Sequence, residues 1–175
     1  MADDPLGVTH LVFALGAVFF GTVVVLTRKG QRMHRTLGHM YFTSLLATNI
    51  TALFLYDLTG EFNFFHASAL LSLGVVILGM IPIFTRKPKA DRRWLFRHAY
   101  FMSGSYVGVM AAFVAEIAVR APGMDFGLAV GLATVLVSAV GIYLIATRVP
   151  RAIDRLIRGS TQRSGEQPIG EETPS

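Results

Sequence analysis

Apolar stretches of roughly 20 residues, the length that carries a helix through a bilayer core, alternate with short polar segments along most of the chain. Five stretches fit, at about Thr9–Leu26, Leu37–Tyr56, Phe64–Phe84, His98–Ala118 and Phe126–Ala146. The pattern predicts an all-α polytopic membrane protein with five transmembrane helices. Short connections make consecutive helices antiparallel neighbours. Helices one to four are therefore expected as an antiparallel core, with helix five peripheral. Residues 1–158 form one transmembrane domain on this reading. Residues 159–175, GSTQRSGEQPIGEETPS, are expected to be a disordered tail. RVPRAIDRLIR, residues 148–158, reads as a short amphipathic continuation of helix five on the inner leaflet.

Composition agrees. Mean hydropathy is +0.53 and charged residues make up 15 %, against about a quarter in ordinary soluble domains. There is no cysteine, which excludes thiolate ligands, c-type haem attachment, iron–sulfur clusters and disulfides. The first residues, MADDPLGVTH, are acidic, so the first apolar run lacks the positive flank of a cleaved signal peptide.

The net charge of +5 changes the picture only through its distribution. Arg28, Lys29, Arg32 and Arg35 lie between stretches one and two. Arg86, Lys87, Lys89, Arg92, Arg93 and Arg97 lie between three and four, and Arg148, Arg151, Arg155, Arg158 and Arg163 follow five. Of the Lys and Arg residues, Arg120 alone falls on the other side, with Asp3, Asp4, Asp57, Glu61 and Asp125. The positive-inside rule then places the N-terminus outside and the C-terminus in the cytoplasm. The basic surplus is a topology signal and an anionic-lipid contact, not a nucleic-acid surface. Trp94 falls at the inner interface, where indole rings favour the headgroup level.

The five histidines follow the same alternation. His10 opens helix one and His66 helix three, both outside; His34 and His39 open helix two and His98 helix four, inside. An interfacial polar residue accounts for any one of them. The alternating pairs point to ligation, because ionisable groups at membrane depth usually face an interior, a cofactor or a pathway, and neutral imidazole is a strong axial ligand for haem iron. His10 with His66, and His98 with His34 or His39, form candidate bis-histidine sites for two b-type haems. The face from His10 reads Ala14, Ala17 and Gly21, small enough for a macrocycle or for close helix packing. The face from His34 reads Gly38, Tyr41 and Leu45, and that from His98 reads Met102, Ser105 and Tyr106. His34 and His39 are roughly 140° apart around the helix and about 7.5 Å along it. Residue physics alone ranks them nearly equal. Tyr41 and Tyr106 are expected to line the cofactor or donate hydrogen bonds to it. Arg35, Arg93 and Arg97 are candidates to neutralise propionates.

KGQRMHRTLGHMY, with Gly30, His34, Gly38 and Tyr41, resembles the signature of an uncharacterised bacterial membrane family, domain of unknown function 2306. So does HAYFMSGSY, with His98, Met102, Ser105 and Tyr106. The second motif of that family resembles H-R-x-W-M-x-R-S-Y, from which Ala99, Phe101 and Gly104 depart. The family usually carries an arginine or aromatic where His39 stands, so the resemblance favours His34 and His98. It implies a multi-pass protein of the bacterial inner membrane and no assigned activity. The histidine pattern is also similar to that of di-haem transmembrane cytochromes b. This implies an oxidoreductase-like electron carrier with haem b, its partners a quinone, an ascorbate-like donor or a redox protein.

Other readings remain. Glu116 and Arg120, spaced i, i+4, are a stabilising pair or part of an outer quinone, ascorbate or proton site. Asn49 falls at mid-membrane, where an amide usually bonds a neighbouring helix. Asp57, Glu61, His66 and His10 are candidate divalent-metal ligands, although no H-E-x-x-H occurs. GLAVG, with Gly127 and Gly131, is a helix-contact motif for the core or for a second protomer in a homodimer. Walker A, G-x-G-x-x-G and G-x-S-x-G motifs are absent. A non-catalytic accessory or assembly protein, or a metal-binding or transport protein, is the alternative to electron transfer.

Overall fold

The computed structural model describes residues 4–56, 60–85, 93–120, 122–123 and 125–165, with side chains to residue 159. The described residues form five helices and no strand: α1 (Pro5–Leu26), α2 (Arg32–Ala52), α3 (Phe64–Thr85), α4 (Arg93–Ala118) and α5 (Phe126–Gly165). Asp3, Asp57, the basic residues 86–92 and residues 166–175 lie outside the described residues, as does the side chain of Arg163.

Local chemistry fixes the helix starts. The Asp4 carboxylate accepts from the Leu6 and Gly7 amides at 3.1 and 3.0 Å, directly before a proline at the first helical position. Asn63 Oδ1 accepts from the Phe65 amide at 2.9 Å, and Asp125 Oδ1 from the Leu128 amide at 2.9 Å. α1 stops at Thr27, and Gly30 follows with φ +82° in the turn to α2.

Four helices are long and apolar enough to cross a membrane: α1, α3, α4 and Phe126–Gly159 of α5. α2 does not qualify on hydropathy. It starts earlier than expected, at Arg32, and ends at Ala52 in tightened turn bonds such as Leu53 N–H to Ile50 O. Its polar residues turn inward. Ser44 and Asn49 are buried with Tyr41 and Leu45, and Asn49 Nδ2 donates to Ser72 Oγ of α3 at 3.1 Å.

α1 packs on α2, α2 on α3, and α3 on α4; α4 also packs on α1 and α5. Ala17, Tyr41, Leu45 and Val76 form the buried centre, with Phe20, Met102, Tyr106 and Val109 against it. α5 meets α4 where Gly141 lies against Val107. Gly127 and Gly131 do not make that contact. They line an open apolar groove with Phe64, Phe126, Val130 and Thr134. α5 also continues to Gly165, past the point where the sequence pattern ends the ordered chain.

Candidate histidine site

At the end of the bundle holding Asp4, Asn63 and Asp125, two histidines have their own partners. His10 Nδ1 is 3.0 Å from Thr51 Oγ1 of α2. The Thr51 hydroxyl directs its own proton to the Ala47 and Thr48 carbonyls at 2.8 and 3.1 Å. The imidazole is therefore the donor, and Nε2 keeps its lone pair. His66 is 1 % exposed. Its ring lies 4.6 Å from Tyr56 and 5.2 Å from Phe62, tilted 33° and 31°. Nδ1 lies 3.1 Å from Asn63 Oδ1, to which it donates in the tautomer that leaves a lone pair on Nε2, and 3.2 Å from the Asn63 amide nitrogen. Its Nε2 is buried without a hydrogen-bond partner. Glu116 of α4 lies within range of the His10 charge and pairs with Arg120 at 2.7 Å.

The other end is built on backbone carbonyls. His98 Nδ1 donates to Gly79 O of α3 at 2.9 Å. The approach is close: a Cβ on Gly79 lands 2.8 Å from Met102 Sδ and 3.1 Å from Phe101 Cβ, so a side chain there has to displace Met102. His34 turns towards the Val24 carbonyl of α1 and lies within range of the charges of Lys29 and His98. Its Nδ1 is buried without a partner. Lys29 Nζ caps α1 by donating to the Val24 and Val25 carbonyls at 2.8 and 2.7 Å. Burial holds its ammonium below the usual lysine range. His39 is exposed, and its Nδ1 bonds Arg35 O one turn back at 2.6 Å. Nothing of a neighbouring helix lies within 4 Å of a Cβ placed on Gly38.

Between the two ends, a pair of tyrosines closes the centre. Tyr41 Oη and Ser105 Oγ are 2.9 Å apart, and Ser105 donates onward to Met102 O at 2.9 Å, so Tyr41 is the donor. Tyr106 Oη lies 2.8 Å from Thr22 Oγ1, whose proton goes to Val18 O. The rings meet edge to face at 6.4 Å. Tyr41→Phe is expected to cost about 1 kcal/mol, read as a lower unfolding temperature in detergent. Ser105 keeps its carbonyl partner, so a larger loss is not expected.

The structure thus puts His34 within range of the His98 charge and leaves His10 and His66 with separate neighbours. It puts His39 on an outer surface. The partners Thr51, Asn63 and Gly79 have no motif in the sequence; among the tethering residues, Ser105 alone shares a histidine's helical face. Among the described residues no three His, Asp or Glu side chains gather as a metal site. Asp57, one of the candidate ligands, is outside them.

No curated protein and no solved structure matches the chain. One family model does, over residues 7–149, which include all five histidines and both tyrosines of the central pair. The chain belongs to the family described as "Predicted membrane protein (DUF2306)".

Proposed function

We propose that the chain carries electrons across a bilayer through two b-type haems, with five spans, the N-terminus outside and α1–α4 as an antiparallel core. His10 and His66 hold the outer haem; His34 and His98 hold the inner one. The observation that carries this reading is the state of the histidine nitrogens. A ligating histidine usually fixes its ring by donating the second N–H to an oxygen, and His98 does so to the Gly79 carbonyl, while His10 does so to Thr51. His34 and His66 each keep a buried nitrogen with no partner, which is costly unless something occupies it. The proximity of His34 to His98 supports the inner site further.

Haem iron, when bound, supplies one-electron chemistry with a potential set by its ligands and surroundings. The residues of the chain hold the rings in one tautomer, exclude water with Tyr56 and Phe62 at His66, and keep the centre closed through Tyr41 and Tyr106. The test is a dithionite-reduced minus oxidised spectrum of the purified protein, expressed with haem supplied and quantified by pyridine haemochrome. A b-type α band supports the reading; a preparation without haem sinks it. Within this test His39→Gln is expected to leave haem content unchanged, and His34→Gln to lower it.

A second reading has its own support. His10 and His98 each bond a neighbouring helix and His34 turns towards the Val24 carbonyl of another, which also describes interhelical glue in an accessory protein. There, glutamine at these positions preserves assembly and no Soret band appears in the wild type.

A further inference from the structure

Residues 148–158 continue α5, and their two faces are sharply divided. On a helical projection Arg148, Arg151, Arg155 and Arg158 fall within roughly 80° of arc, and all four are exposed. Val149, Ala152, Ile153, Leu156 and Ile157 occupy the opposite arc and are buried or half-buried, Ile153 to 1 % exposure. The protein itself therefore covers part of the apolar face, which the sequence pattern assigns to the inner leaflet alone. Leu156 comes within 3.8 Å of the Cβ position of Gly30, in the turn between α1 and α2. That contact sets the depth of the arginine row. The end of the row that flanks Leu156, with Arg155 and Arg158, stands level with the turn just beyond the end of α1, where Arg28, Arg32 and Arg35 are also exposed. No ion pair among the described residues engages any of these arginines; the exposed pair Glu116–Arg120 belongs to α4. Asp154 is the one acidic residue in the segment.

We infer that this docked helix and the α1–α2 turn form one basic platform that binds the headgroups of anionic phospholipids. The position argues for a lipid: the long apolar run of α5 ends at about Ala146, so the arginines that follow it leave the hydrocarbon core for the headgroup side. Arginine suits the ligand, because its planar fork bonds phosphate oxygens in pairs. The proposal is independent of haem.

The experiment uses the full chain in neutral detergent, incubated with phosphatidylglycerol or phosphatidylcholine, repurified and analysed for retained lipid by mass spectrometry. The wild type is expected to retain phosphatidylglycerol over phosphatidylcholine. Each arginine changed to glutamine is expected to weaken retention by roughly fivefold, and R148Q/R151Q/R155Q/R158Q to abolish the preference. Circular dichroism checks the helix; should the quadruple variant lose helicity, R155Q and R158Q, read singly, carry the test. Equal retention of the two lipids, equal retention by wild type and variants, or displacement by millimolar inorganic phosphate overturns the proposal, the last by pointing to a soluble anion.

Discussion

Exchanging His98 for alanine is expected to halve the haem content of the purified protein and leave the remaining haem spectrally intact. His98 is tethered to the Gly79 carbonyl and its charge is felt at His34. Its loss removes one of two axial ligands from the proposed inner site and touches nothing at His10 or His66. The same substitution at His66 is expected to remove the other haem. The measurement is haem per chain by pyridine haemochrome, with a redox titration of what remains. Equal haem in wild type and His98→Ala overturns the ligand assignment. Loss of all haem from either variant shows that the two ends do not load independently. Restoration of the lost band by added imidazole separates a missing ligand from a misfolded bundle.

Gly21→Leu is expected to be the most damaging single change in the centre of the bundle. Even a Cβ at this position lies 2.7 Å from Tyr106 Cδ2 and 2.9 Å from Tyr41 Cε2. Neither ring can swing away cheaply, since one hydroxyl is bonded to Ser105 and the other to Thr22. α1 must move off α2 and α4, at a cost of roughly 3 kcal/mol or more. Gly38→Ala is the matched control. Its Cβ meets nothing within 4 Å, so alanine there is neutral or gains up to about 1 kcal/mol from helix propensity. Unfolding in detergent, followed by circular dichroism, reads both. A Gly21→Leu protein as stable as the wild type contradicts the close approach of α1 to the tyrosine pair.

Helix starts at Phe64 and Phe126 were legible from where the apolar runs begin, and the structure adds the caps that the pattern did not single out: Asn63 and Asp125 accept from the Phe65 and Leu128 amides. Likewise the apolar length of α1, α3, α4 and α5 announced helices fit to cross a membrane. The rotation of α2 was not legible. His34 and His39 have similar spacing arguments, and only packing turns one towards Val24 and the other outwards. The tether of His98 was hidden for a different reason: its partner is a backbone carbonyl, which every residue carries. The aromatic slot around His66 comes from Tyr56 and Phe62, in the connection between α2 and α3, where periodicity says nothing. The docking of the α5 extension on Gly30 joins residues far apart in the chain, and the amphipathic pattern of residues 148–158 does not tell protein from lipid as the cover for its apolar face.

The polarity of α2 has a consequence for biogenesis. A segment with Arg32, Arg35, His39 and Asn49, and with mean hydropathy too low to qualify as a span, gains little from leaving the insertion machinery for lipid by itself. α1, strongly apolar and joined to it by a five-residue turn (residues 27–31), offers the partner. The two are expected to enter as a hairpin, with the His10–Thr51 bond and the Lys29 cap formed as they do. On the proposed five-span reading, membrane insertion of α2 then depends on its neighbour, and a chain whose α1 is replaced by an unrelated apolar helix should leave α2 stranded outside the bilayer even though its own sequence is intact.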